Sequence, residues 1–198
     1  MKIGIFGGAF NPVHNGHIKL AVKYTELLNL DKLIVVPTAN PPHKSNTDFA
    51  GKTDRINMLN FAFENVKKVE VSDIEFKLKG KSYTYNTVSE IKKQFNNPEI
   101  YLIVGEDQFL SFDTWYRYND ILNSVTLCTA QRNENKCAQL REYAENVLKC
   151  QNYIVVNYDP VVVSSSEIRG KIKNNEKVNN LIPLKVLNYI VENGLYTE

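Results

Sequence analysis

The chain has 198 residues, 43% of them hydrophobic, with 24 lysines and arginines against 22 aspartates and glutamates, the size and apolar content of a single domain spanning 1–198. A net charge of +2 provides no broad cationic surface for nucleic acid or an anionic membrane, although a small phosphorylated ligand needs only a local cluster. The apolar start is broken at Gly7, Gly8, Asn11 and Pro12, no run of roughly 18 apolar residues follows, and Cys128, Cys137 and Cys150 lack C-x-x-C spacing, which together predict a cytoplasmic protein with reduced thiols.

In chain order, KIGIF (2–6) reads as a first strand. A helix is predicted over 16–29, where Ile18, Ala21, Val22 and Leu28 form one stripe while Lys19, Lys23 and Glu26 fall on the other side. KLIVVP (32–37) is a second strand, 38–51 a long loop, and 52–65 and 84–95 are helices. Three further strands, EIYLIVG (99–105), VTLCTA (125–130) and NYIVVN (152–157), are separated by helices over 115–123 and 134–149, and helices over 165–174 and 183–193 close the chain. Apolar runs rich in Val and Ile suit strands buried on both faces. The alternation predicts an α/β fold, a Rossmann-like open parallel sheet with helices on both faces, whose ligands bind beyond the carboxyl ends of the strands.

One such end carries the densest chemistry. In KIGIFGGAFNPVHNGHIKLAV (2–22), a strand turns through Gly7 and Gly8 into a helix that begins near Asn15 or Gly16. Glycines allow close backbone approach, and a helix N-terminus offers unpaired N–H groups at the positive end of its dipole, which describes an anion site. His14 and His17 are two of only three histidines and lie one turn apart, so both reach the helix mouth. Zinc is the competing use, with His43 as a third ligand, but H-x-x-H lacks the i, i+4 geometry of helical zinc pairs and no carboxylate or thiolate adjoins. Neither G-x-x-x-x-G-K-[ST] nor G-x-G-x-x-G is present.

The string GGAFNPVHNGH resembles the signature of the nucleotidyltransferases that carry an H-x-G-H motif. Within them the chain is similar to the nicotinate-nucleotide adenylyltransferases, with PPHK (41–44), Arg55, GKSYTYNTV (80–88), VGEDQF (104–109), TWYRYNDIL (114–122), VSSSEIR (163–169) and LIPLKVLNYIVENGLY (181–196) falling in order. The resemblance implies a nucleotidyltransferase-type sheet and adenylyl transfer from ATP to nicotinate mononucleotide, a step of NAD biosynthesis, with Mg²⁺ held mainly by ATP phosphates and water rather than by a protein metal site. It implies His14, His17, Lys44 and Arg169 as catalytic. ATP would be met by Gly7, Gly8, Phe10, His14, His17, Gly105, Asp107, Ser165, Ser166 and Arg169. The pyridine substrate would be met by Asn40, Lys44, Thr84, Asp107, Trp115, Tyr116 and Arg132, with backbone amides around Thr84 and Tyr116 receiving the nicotinate carboxylate and Trp115 stacking on the ring.

Bland readings stand beside these. Ser164 and Glu167 suit a capping box, Trp115 suits a core ring, and Lys44 and Arg55 taken alone are solvated cations. AQRNEN (130–135) lacks the Pro-Gly turn usual after Arg in this position, which loosens the aim of Arg132, and Glu106 replaces a small residue and is expected to point to solvent. Another H-x-G-H transferase, acting on phosphopantetheine or using CTP, is a rival, an enzyme for nicotinamide mononucleotide is closer still because the acid or amide choice rests on backbone donors, and a non-catalytic nucleotide sensor is the rival from another class. A homo-oligomer is compatible with the sequence.

Overall fold

Side-chain alternation along the strands sorts the apolar residues into two cores. A computed structural model describes residues 1–40, 49–78, 80–131, 137–157 and 163–197. Its strands are β1 (Lys2–Gly8), β2 (Lys32–Pro37), β3 (Val69–Val71), β4 (Glu99–Ile103), β5 (Thr126–Gln131) and β6 (Tyr153–Asn157). They pair in the order β3-β2-β1-β4-β5-β6, every pair parallel. Phe6, Leu33, Val35, Tyr101, Ile103 and Cys128 point to one face; Ile3, Ile5, Ile34, Val36, Ile100, Leu102 and Leu127 point to the other. This is period two on strands covered on both sides.

The first face is covered by α1 (Asn15–Leu27), α2 (Lys52–Phe63), α8 (Ser165–Lys173) and α9 (Leu184–Glu192), through Ala21, Tyr24, Met58, Leu59, Ile168, Val186 and Ile190. The second is covered by α3 (Ile74–Lys77), α4 (Thr84–Lys93), α5 (Glu106–Phe109), α6 (Tyr118–Leu122) and α7 (Cys137–Glu142), through Ile74, Val88, Ile91, Phe109, Ile121 and Leu140. No helix among the described residues is long and apolar enough to cross a membrane, and the three cysteines are unpaired.

The expected Rossmann-like sheet is present, with one strand more than the sequence showed. β3 has three residues at the sheet edge, too few for an alternation to stand out, and its central Glu70 faces Lys32 at 2.6 Å. The predicted helix over 115–123 is also shorter. A 3₁₀ turn occupies Phe112–Thr114, and Arg117, left-handed at φ +56°, delays the helix until Tyr118. Arg117 holds that conformation with its guanidinium on Asp120 at 2.5 Å and over the Tyr85 ring at 4.0 Å. Trp115 and Tyr116 are therefore presented on a loop. The helix predicted over 134–149 is seen as α7 followed by a π-helical turn, Tyr143–Val147.

Candidate active site

β1 and β4 are neighbours whose chain connections leave in opposite directions, and a crevice opens beyond their carboxyl ends at such a reversal. The β1–α1 segment lies there, and its carbonyls are held from several sides. Gly8 O accepts from Thr38 N at 2.8 Å, Ala9 O from Arg55 Nη1 at 3.2 Å, Asn11 O from Arg169 Nη1 at 2.8 Å and Pro12 O from Ser165 Oγ at 2.8 Å. In a trans peptide the N–H points opposite to the C=O. Tying back Gly8 O and Ala9 O therefore turns the N–H groups of Ala9 and Phe10 the other way, as an anion-binding turn requires. Phe10 is left-handed at φ +46°. Its buried ring lies under Gly8 and edge-on to His17 at 4.9 Å, so a ligand can meet only its backbone.

The two histidines form a reciprocal cap on α1. His17 N donates to His14 Nδ1 and His14 N to His17 Nδ1, each at 3.3 Å, and the rings stack at 3.6 Å with 24° between planes. A capping box usually pairs Ser or Thr with Glu or Gln; here two imidazoles do the same work. Both Nδ1 atoms act as acceptors, so each neutral ring carries its proton on Nε2. The middle of the motif is sterically determined too: a Cβ on Gly16 would sit 3.0 Å from His14 Nδ1 and 3.1 Å from Val163 Cγ1. Burial first, and then the neighbouring His14, hold the His17 pKa well below the ordinary histidine value.

That depression has a sign for stability. An unfolded His17 takes up a proton as pH falls below about 6.5 while the folded one stays neutral. Folding free energy is thus at its full value above that pH and declines as pH drops toward the lower folded-state pKa. Urea unfolding at pH 7.5 and 5.5 is expected to show this loss, and His17→Asn, which keeps an acceptor at the Nδ1 position without a titrating ring, to reduce it.

The α8 end faces the same segment. Ser164 Oγ accepts from Glu167 N at 3.1 Å, one half of the anticipated capping box. Ser165 and Arg169 grip Pro12 and Asn11, and Ser166 Oγ accepts from Arg169 Nη2 at 3.4 Å. Two of the five guanidinium N–H donors orient the side chain, and the other three make no hydrogen bond among the described residues. The chain's end joins this network: Asn11 Oδ1 accepts from Tyr196 Oη at 2.7 Å and from Ala50 N at 2.9 Å. Burial raises the Tyr196 pKa, keeping the phenol protonated and able to donate. Tyr196→Phe, which keeps the ring and removes the donor, is expected to lower kcat about tenfold with smaller changes in KM, as loosened positioning does; steady-state kinetics checks this.

The other part of the site is a cavity of about 130 Å³ lined by Gly7, Gly8, Ala9, Thr38, Thr84 and Trp115, with Ile5, Val36, Leu102 and Val104 from the sheet. Trp115 is half-buried and leans on Phe112 at 4.6 Å. Thr84 is the first residue of α4, where helix geometry leaves an N–H without an acceptor. Asn40 and Tyr116 stand close by in the chain but are not among the lining residues. Asn40 donates through Nδ2 to Gly80 O at 3.2 Å, and the exposed Tyr116 ring stacks on Tyr83 at 4.5 Å. Gly105 precedes α5 with open space where a Cβ would be, and Asp107 is exposed on that helix. Lys44, His43 and Arg132 lie outside the described residues.

Two expectations are overturned by burial. Glu106 does not point to solvent but is 2% exposed, as the first residue of α5, close behind the carboxyl end of β4. Arg55 is not a solvated cation: at 3% exposure it bonds Ala9 O, Thr38 O and Ala50 O. Glu75 and Thr87 also line the cavity and were given no role from the sequence, while Ser82, in the Ser82–Thr84 segment expected to orient substrate, lines it too. Glu75 falls outside every predicted element and Thr87 within the predicted helix 84–95, and neither setting distinguishes a cavity wall from a core.

The family model described as cytidylyltransferase-like matches residues 5–171. A protein of Borreliella burgdorferi named probable nicotinate-nucleotide adenylyltransferase is 39% identical over 100% of this chain and 98% of its own. A Clostridium tetani protein of the same name is 38% identical over 98% of both. Among solved structures, Plasmodium falciparum nicotinic acid mononucleotide adenylyltransferase complexed with NaAD superposes with a TM-score of 0.82 at 21% identity, covering 98% of this chain and 97% of that one, which establishes the shared fold. With the G-G-x-F-N-P-x-H-x-G-H segment forming the turn from β1 into α1 and the match running end to end, the chain belongs to the cytidylyltransferase-like family and, within it, to the nicotinate-nucleotide adenylyltransferases.

Proposed function

We propose that this chain transfers the adenylyl group of ATP to nicotinate mononucleotide, yielding nicotinate adenine dinucleotide and pyrophosphate in NAD biosynthesis. The observation that carries the reading is the stacked His14–His17 pair, both rings with Nε2 as donor, at the mouth of α1 beside Arg169. The full-length relatives bearing this name support it. The attacking phosphate is already an anion and needs no base, so the chain supplies alignment and charge stabilisation for in-line displacement at the α-phosphorus, with no covalent intermediate. His14 and His17 donate to oxygens that gain charge in the transition state, while Arg169 and the α8 N-terminus, with Ser165 and Ser166, hold the departing pyrophosphate. Gly7, Gly8, Phe10, Gly105 and Asp107 complete the ATP side; Asn40, Lys44, Thr84, Asp107, Trp115, Tyr116 and Arg132 make up the pyridine side.

Among the described residues no group of three or more His, Cys, Asp or Glu could hold a metal. The donor set fits a Mg²⁺ carried by triphosphate oxygens and water, an ion that keeps several waters in such sites and would neutralise phosphate charge when bound. The cytoplasm is the compartment this reading assigns. The test is pyrophosphate release from the purified protein with ATP and Mg²⁺, adding nicotinate mononucleotide, nicotinamide mononucleotide or phosphopantetheine in turn. Strong preference for the first supports the reading and the backbone-amide account of acid selectivity, because an amide NH₂ facing N–H donors leaves them unpaired. Preference for phosphopantetheine, or ATP binding without turnover, refutes it.

A further inference from the structure

One charged group in the site has no part in the chemistry above. Glu75, on the short α3, is 9% exposed yet lines the same 130 Å³ cavity as Thr84 and Trp115. Its oxygens are held in place: Oε1 accepts from Thr87 Oγ1 at 2.8 Å and Oε2 from Ala39 N at 3.2 Å. These bonds engage two of the carboxylate's roughly four lone-pair sites. Much of the remaining wall is apolar, from Ile5, Val36, Leu102 and Val104. Among the described residues Arg55 interacts electrostatically with it, but that guanidinium is committed to three backbone carbonyls. A carboxylate facing a small, largely apolar cavity is unfavourable unless its occupant brings positive charge.

The cavity is far smaller than the roughly 300–1,000 Å³ that enclose a whole drug-sized ligand, and suits one six-membered ring with its substituent. We infer that Glu75 is the counter-charge for an N-glycosylated pyridinium ring and makes the site select the oxidised, cationic pyridine nucleotide over its neutral dihydropyridine form. The inference rests on the adenylyltransferase reading, which puts nicotinate mononucleotide in this cavity. The ring nitrogen of that substrate is quaternary and its positive charge spreads over the ring. Trp115 favours the same charge through its π face, while the ring's own carboxylate goes to the N–H donors at Thr84. Reduction to the 1,4-dihydro form removes the positive charge at almost constant size, so shape alone discriminates poorly between them. Glu75 is thus a specificity-determining residue that takes no part in phosphoryl transfer.

Calorimetric titration of the full chain with nicotinate mononucleotide and with its 1,4-dihydro form tests this directly. Wild type is expected to bind the oxidised form at least tenfold more tightly. Glu75→Gln keeps a carbonyl for Ala39 N and an amide group beside the Thr87 hydroxyl, and is expected to weaken the oxidised form about tenfold, leave the dihydro form within about twofold, and retain its melting temperature. Glu75→Asp, which keeps the charge, should preserve most of the preference. Equal binding of the two forms by wild type, which needs no variant to fold, overturns the inference, as does an unchanged preference in Glu75→Gln. Pyrophosphate release by wild type with nicotinate mononucleotide is recorded alongside. Its absence, rather than any binding ratio, is the result that brings down the adenylyltransferase reading itself.

Discussion

Replacing His17 by alanine is expected to lower kcat by about 10²–10³ with modest change in KM for either nucleotide, the loss typical of one preorganised donor to a developing oxyanion. The geometry gives the residue two separable duties. Its Nδ1 accepts from His14 N and closes the cap of α1, and its Nε2 carries the proton that would meet phosphate in the proposed reaction. Alanine removes both, so about 1 kcal/mol of stability should go with the activity. Asparagine places an oxygen where Nδ1 was and nothing where Nε2 was; it should recover most of the stability and none of the rate. Glutamine does the converse, reaching the Nε2 position with an amide N–H, and should recover part of the rate. Single-turnover kinetics and urea melts on the three variants separate the duties; near-wild-type kcat in His17→Ala would remove the residue from the mechanism.

Arg55→Met is expected to destabilise the fold by about 3–5 kcal/mol, the largest stability effect foreseen for a single substitution near the site. The methionine roughly preserves the volume between Phe49 and Phe76, each 5.2 Å from the guanidinium carbon. It deletes the guanidinium's hydrogen bonds to the half-buried Ala9 O, Thr38 O and Ala50 O, and losing three bonds from one buried side chain is what makes such a change severe. For a chain of this length that corresponds to a fall in melting temperature on the order of 10 °C. Activity should drop as well in the fraction that stays folded, because Ala9 O is one of the two carbonyls whose capture turns the loop's N–H groups the other way, where the proposed reaction puts the phosphates. A melting temperature within about 2 °C of wild type, against the roughly 2–4 °C per kcal/mol expected at this size, would show that water replaces the guanidinium and that its grip is dispensable.

The chain order of motifs and the periodicity of the strands determined a good deal without any coordinates. KIGIF, KLIVVP, EIYLIVG, VTLCTA and NYIVVN are apolar on both faces, which is a property of parallel strands under two helical layers, so the sheet could be read locally. The Gly7 to His17 stretch likewise carried its own local physics: glycines for close approach, then a helix start with two imidazoles one turn apart. Only the tertiary structure decided what the charged residues do, because burial depends on residues far away in the chain. Arg55 sits in a predicted helix as a solvated cation and Glu75 in a stretch with no predicted element, yet one is enclosed by Ala9, Thr38 and Phe76 and the other by Ala39 and Thr87. The same holds for Tyr196, whose hydroxyl reaches Asn11 across 185 positions, and for the edge strand β3, which is a strand because β2 offers it unpaired backbone rather than because three residues favour extension. Periodicity says which side of an element is wet; it does not say what another element brings to that side.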